Sequence, residues 1–159
     1  MSEAAIQSRV NVVPASREHP ALLADTLRWA DRREVESYGL TPRRAVWRSY
    51  RRSTYARTAF VDGEIAAMWG FDGTPFKETA NVWLLTAPPA ERVKRTFLRI
   101  AREEVEFMLA TTPVLQGNVD VTYIEAHRLL EELGFTLSTP FPFGKYRNLF
   151  CRFTLRVFP

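Results

Sequence analysis

The chain has 159 residues, of which 46% are hydrophobic, 13% aromatic and 25% charged. That length suits one domain of ~100 to 150 residues, and the composition excludes disordered, collagen-like and coiled-coil chains. Net charge is +4 and pI near 9.6, a basic balance that leaves acidic partners open.

A lone cysteine, Cys151, excludes an internal disulfide framework and a cysteine-based zinc site, and the two histidines lack a paired carboxylate motif, so no metal is expected. No apolar run approaches the ~20 residues of a membrane helix, and Met1 to Arg9 lacks the basic-then-apolar layout of a secretory signal. We expect a soluble, cytoplasmic protein, not secreted and without membrane contact. It should fold as one domain over residues 1–159, with 1–9 a loose N-terminal extension.

Val10, Val12 and Val13 before Pro14 predict a short first strand. From Pro20 to about Tyr38, Leu22, Leu23, Leu27, Trp29 and Val35 recur at helical spacing, and Gly39 closes that helix. Thr41-Pro42 combines a hydroxyl cap with proline at the first helical position and opens a helix through Val46, Trp47 and Tyr50 to about Arg52. Nine arginines between Arg28 and Arg57 face only Asp31, Glu34 and Glu36, giving that segment +6.

Tyr55 to Val61 and Ile65 to Phe71 are β-rich runs joined by Asp62-Gly63, a strong hairpin signal. Ala80 to Thr86 reads as the next strand, stopped by Pro88-Pro89. A long helix follows from Ala90 to Ala110, with Val93, Phe97, Ile100, Ala101, Val105 and Met108 on one stripe. Val114 to Val119 is a short strand, and Asp120 caps a helix with Tyr123, Ala126, His127, Leu130 and Leu133 on one face, ended by Gly134. Phe135 to Leu137 and Asn148 to Phe158 are final strands around a loop from Thr139 to Arg147. The predicted order is β α α β β β α β α β β, an α+β chain.

That order, closing on Ala126, Leu129, Leu130, Leu133, Gly134 and Phe135, resembles the GNAT superfamily of N-acetyltransferases from Val10 to Phe158. The resemblance implies a GNAT-like (acyl-CoA N-acyltransferase) fold: a mixed, mainly antiparallel sheet flanked by helices, with a V-shaped opening beside Val82 to Thr86. More narrowly, Val82-Trp83-Leu84-Leu85-Thr86, Trp69-Gly70 and the run from His127 to Phe135 look like GNAT-like virion or morphogenesis proteins of short-tailed phages. That subgroup implies a bacteriophage virion or assembly protein, located in the host cytoplasm or virion, with other virion proteins as partners and little or no catalysis.

In the superfamily the strand before the long helix opens its backbone to the pantetheine arm, and a Gln/Arg-x-x-Gly-x-Gly/Ala loop aims N–H groups at the pyrophosphate. The resemblance therefore implies Leu84, Leu85 and Thr86 beside the arm. Pro89, Arg92 and Lys94 stand where the motif has Gln/Arg, Gly and Gly/Ala. Prolines have no N–H to donate, so the loop argues against a cofactor; alternatively, Arg92, Lys94 and Arg95 pair with phosphate through their side chains. No cofactor is expected on the first reading, and acetyl-CoA on the second. Leu130 occupies the position of the tyrosine that reprotonates the thiolate in many members.

Amine acylation needs a base near neutral pKa. Glu78, Asn118, Tyr123 and His127 are the catalytic candidates, and three of them have a structural alternative: His127 as a half-buried helix residue, Tyr123 as a core aromatic, Asn118 as a turn residue. Asp120 is read as a helix cap, and His19 as a surface residue near a helix start. Arg43, Arg44, Arg48, Arg51 and Arg52 are candidate nucleic-acid contacts, with Trp47, Tyr50 and Tyr55 as stacking partners or, from their spacing, a buried helix stripe. Three functions stay open: a GNAT-fold virion or assembly protein, an active N-acetyltransferase, and a basic nucleic-acid-binding module.

Overall fold

A computed structural model describes residues 8–157. Asp62 and Gly63 both take positive φ, 51° and 82°, the left-handed pair that a two-residue hairpin turn requires. They join β2 (Tyr55–Val61) to β3 (Glu64–Phe71), and β1 (Val10–Pro14) adds antiparallel to β2. Of the expected loose segment 1–9, residues 1–7 lie outside the described residues. Arg9 is tied to the hairpin, its N–H donating to Asp62 Oδ1 at 2.8 Å and its carbonyl accepting the Asp62 N–H at 2.9 Å.

The segment predicted as one helix is two: α1 (His19–Ala24) and α2 (Trp29–Ser37). Thr26 Oγ1 and N–H turn back to the carbonyls of Leu22 and Leu23, and the Arg28 N–H donates to the Thr86 carbonyl at 2.9 Å. That bond pulls the chain to the end of a strand and restarts the helix in a new direction, which leaves Trp29 73% exposed rather than on a buried stripe. α3 (Pro42–Arg52) begins as expected, with Thr41 Oγ1 accepting the Arg44 N–H. Its Trp47, however, is exposed, with the Arg51 guanidinium over the ring.

β4 (Thr79–Thr86) pairs antiparallel with β3 and is followed by a 3-10 turn over Pro88–Val93, so α4 (Lys94–Thr111) starts later than its apolar stripe predicts. β5 (Val114–Asp120) runs parallel to β4, and α5 (Ile124–Glu132) ends at Gly134, whose φ is +91°. Asp120 ends β5 and does not cap α5: its Oδ1 accepts the Thr122 N–H and hydroxyl, closing a turn before the helix. β6 (Thr136–Leu137), β7 (Phe141–Phe143) and β8 (Asn148–Arg156) complete the chain. β7 lies within the predicted loop, and Phe158 is outside the described residues. The sheet order is β1-β2-β3-β4-β5-β8-β6, with β7 also on β8.

Side chains alternate across the sheet and split the core in two. Met68 and Leu85 pack with Leu23, Val35 and Val46, placing α1 to α3 on one face. Ala67, Trp69 and Phe71 pack with Met108, Phe97, Ile100, Ala126 and Leu130, placing α4 and α5 on the other.

Candidate active site

β4 and β5 pair over three positions only, Thr79 with Val114, Ala80 with Leu115 and Asn81 with Gln116. Beyond Asn81 they diverge, and the V-shaped opening expected beside Val82 to Thr86 is present as a cavity of about 1050 Å³ that reaches both faces of the sheet. On β4, the Asn81 carbonyl and the Ala87 N–H point to the β3 side, where Asp72 and Ala66 take them. Alternation turns the backbone groups of Val82 and Leu84 into the gap.

α2 forms the wall on the first face. Asp31, Glu34, Val35 and Tyr38 follow one another at helical spacing toward the sheet, so two carboxylates occupy positions of the apolar stripe. Asp31 accepts hydrogen bonds from the Thr86 hydroxyl and, at 3.1 Å, the Tyr123 hydroxyl. Burial pushes its pKa up to about 6, against the pull of those two donors. Glu34 accepts the Asp120 N–H through Oε2 at 3.1 Å. Burial raises it to about 8; that hydrogen bond opposes the rise, and the charges of Asp31 and Asp120 add to it. Tyr123 is raised as well, by burial and by the Asp31 carboxylate, so it keeps its proton.

Leu115 and Val119 of β5 belong to the α4/α5 core, so Asn118 between them presents its side chain to the α2 face. Its Oδ1 is buried in the cleft wall without a hydrogen-bond partner among the described residues. Arg28 bridges the two faces, its Nε 3.0 Å from Glu91 and its Nη2 2.6 Å from Glu125 of α5.

The expected site residues separate. Leu84, Leu85, Thr86, Lys94, Arg95, Asn118 and Tyr123 all line the cleft, as does Leu130. Glu78 does not: it is exposed at the N-terminal end of β4, where the strands are still paired and its carbonyl accepts the Val114 N–H. Arg92 turns away to Glu64, 2.9 Å from Oε2. His127 is half-buried outside the cleft, its Nε2 3.0 Å from the Asp120 carbonyl, which is its structural alternative. His19 is likewise half-buried, with Nδ1 2.8 Å from the Thr58 hydroxyl. Of the five arginines considered for nucleic acid, Arg43 pairs with Asp25 and Arg51 lies over Trp47, while Arg48 and Arg52 line the cleft.

Asp31 and Glu34 were missed because they read as counter-charges in an arginine-rich segment. Their spacing with Val35 and Tyr38 was the signal: two acids on the buried side of a helix.

The architecture recurs in solved structures. It matches an N-acetyltransferase from Staphylococcus aureus with a TM-score of 0.69 at 14% identity, over 94% of this chain and 99% of that one. It matches an acetyltransferase of the GNAT family from Bacillus anthracis with a TM-score of 0.68 at 9% identity, over 93% and 95%. The fold is GNAT-like. The yncA structure from Salmonella typhimurium, which holds its cofactor acetyl-CoA, shares this GNAT-like fold with a TM-score of 0.64 at 14% identity, over 92% and 93%. No family model matches the chain, and no curated protein matches it.

The residues present fit the pantetheine arm and the phosphates of acetyl-CoA. The free backbone of Val82 and Leu84 suits an amide-bearing arm, and no side chain caps the first turn of α4, where Lys94 and Arg95 are exposed at the cleft. Pro88 and Pro89 supply no N–H there, so phosphate contact falls to the helix N-terminus and those two cations. Among the described residues no group of three or more His, Cys, Asp or Glu could hold a metal, and no helix is long and apolar enough to cross a membrane.

Proposed function

We propose that this protein is an acetyl-CoA-dependent N-acetyltransferase. The observation that carries the reading is Glu34, a half-buried carboxylate that accepts the Asp120 N–H in the wall of a cleft that otherwise suits the cofactor, where desolvation raises its pKa to about 8. A base in that range matches the proton affinity that amine acylation requires near neutral pH. Val82 and Leu84 would hold the pantetheine arm through their backbone, and Lys94 and Arg95 the phosphates. Bound acetyl-CoA would supply the activated acetyl group.

Glu34 takes the proton from the acceptor amine, directly or through one water. Asn118 Oδ1 accepts a hydrogen bond from the same nitrogen and orients it. The leaving sulfur takes its proton from Tyr123, the role that Leu130 cannot fill: the hydroxyl keeps its proton, donated to Asp31 in the resting site, and turns it from that carboxylate to the sulfur. Asp31 accepts that hydroxyl and the Thr86 hydroxyl and holds both in the resting site.

The virion or assembly reading rests on the departures at Pro89, Arg92, Lys94 and Leu130 and stands second; neither it nor the nucleic-acid reading calls for a titrating carboxylate in a cleft. A calorimetric titration with acetyl-CoA, paired with a thiol-release assay over a panel of amines, tests the enzyme reading. Saturable micromolar binding and amine-dependent release are expected. Absence of both would remove it.

A further inference from the structure

The cleft carries two separate sets of cations, one on each face of the sheet. Lys94, Arg95 and Arg128 stand on the α4/α5 face, and Arg48 and Arg52 stand on the α3 side of the opposite face. Resting on the acyltransferase reading, Lys94 and Arg95 are committed to the pyrophosphate by their place at the α4 N-terminus, with Arg128 of α5 on the same face. One cofactor cannot present its phosphates to both faces, because its reactive end must sit between them. The second set is left for the other substrate.

Arg48 and Arg52 are one turn apart on α3, both exposed at the cleft, and neither forms an ion pair among the described residues. Their neighbours differ: Arg43 is bound to Asp25, and Arg51 is stacked on Trp47. Ser49 and Ser53 line the same side, and Ser53 Oγ accepts the Trp83 indole N–H at 2.7 Å while donating to the Ser49 carbonyl at 2.7 Å, which fixes the wall behind the two guanidinium groups. The same face holds Glu34 and the unpartnered Asn118 Oδ1. An acceptor on this face therefore meets acceptor atoms at its amine and unpaired planar donors further out.

We infer that the acceptor is an amine that also carries an anionic group, a carboxylate or a phosphonate, which Arg48 and Arg52 bind while Glu34 receives the amine proton. Bidentate guanidinium contacts suit both anions. The arrangement also selects against polyamines and other purely cationic amines, whose second charge would face two arginines.

The test is a set of matched acceptors in thiol-release and calorimetric assays: phenylalanine against phenethylamine, methionine against 3-(methylthio)propylamine, and 3-aminopropylphosphonate against propylamine. We expect the anionic member of at least one pair to bind and turn over at least tenfold better, with the carboxylate and phosphonate arms telling which anion is preferred. In an Arg48→Met/Arg52→Met variant that ratio should fall toward one, and Arg48→Lys/Arg52→Lys should recover part of it, with circular dichroism confirming the fold. Equal treatment of every pair, preference for the uncharged members, or no binding of any anionic member overturns the inference even where acetyl-CoA binds and other amines are acetylated. Arginine-dependent binding of an anionic amine without any acetyl transfer would instead sustain the anion site and remove the acyltransferase reading.

Discussion

The two faces of the sheet approach the cleft with different chemistry. On the α4/α5 face the wall is mainly apolar, built from Phe97, Leu98, Ala126, Leu129 and Leu130, with Lys94, Arg95 and Arg128 at its rim and Glu91 and Glu125 tied up by Arg28. On the α2/α3 face the wall holds Asp31 and Glu34, whose pKa values burial raises to about 6 and about 8. The first face is a binding surface held by packing, and the second keeps two acids in an environment that disfavours their charge. On the proposed reading the two faces divide the work, packing where the helix stripes are apolar and proton chemistry where the stripe of α2 is interrupted.

Glu34→Gln attacks the comparison most directly. If the α2 face does the proton chemistry, kcat should fall ~10²- to 10⁴-fold, while calorimetric acetyl-CoA affinity should hold because the cofactor's contacts lie elsewhere. In the unaltered protein kcat/KM should climb as pH rises through about 8, where Glu34 becomes ionised, and the variant should lose that limb. A variant with unchanged kcat would assign the base to another residue.

The same carboxylate makes stability depend on pH. Its folded pKa, about 8, exceeds the ordinary 4.5, so the folded state holds a proton that the unfolded chain has released. Stability from this group is complete below about pH 4.5 and is lost as pH rises toward 8. Asp31 adds a loss of the same sign between its ordinary 3.8 and about 6. Melting midpoints should therefore decline between pH 5 and 8, and Glu34→Gln should flatten that decline. An equally steep decline in the variant would place the responsible group elsewhere.

The α4/α5 face is next in expected effect. Lys94→Ala and Arg95→Ala should each weaken acetyl-CoA about tenfold, the size of a charge-assisted hydrogen bond, with little change in kcat at saturation. A large fall in kcat with an unchanged dissociation constant would mean that the cations serve the acceptor instead.

How legible each face was follows from the same contrast. The hairpin at Asp62-Gly63, the stripe of α4 from Phe97 to Met108 and the helix end at Gly134 each have a local signal, either a turn residue or an apolar period, and the structure carries all three, while the opening beside β4 was implied by the family resemblance alone. The break between α1 and α2 has none. It depends on the Arg28 N–H reaching the Thr86 carbonyl, a contact between residues far apart in sequence. Glu34 shares that origin, since its environment is made by β5 and by Asp120, so its charge looked solvated in sequence. Glu78 and Arg92 erred oppositely: both have suitable chemistry, and the chain directs Glu78 to solvent and Arg92 to Glu64.

Gly134 tests the packing side. Its φ of +91° follows the end of α5 and turns Phe135 into the core, where that ring lies 5.2 Å from Phe153. A side chain there would have room, the nearest atom being Leu155 Cδ1 at 3.7 Å, so any cost comes from the backbone and not from a clash. Gly134→Val should lower stability by more than ~1 kcal/mol in chemical denaturation. A smaller change would mean that the helix end relaxes out of the left-handed region.

Arg92→Ala carries the smallest expected effect. The family pattern assigns this position to a phosphate-binding loop, yet the guanidinium turns to Glu64 at the surface, with side chains 48% and 67% exposed. An exposed pair of this kind contributes ~0 to 1 kcal/mol, so melting midpoint, acetyl-CoA affinity and kcat should all stay near those of the unaltered protein. The informative control is Lys94→Ala, two residues along and open to the cleft. If Arg92→Ala weakened acetyl-CoA as much as Lys94→Ala does, the 3-10 turn at Pro88–Val93 would have to rearrange on binding, swinging Arg92 from Glu64 to the phosphates. The α4/α5 face would then be the one that moves, and the α2/α3 face the rigid template against which it closes.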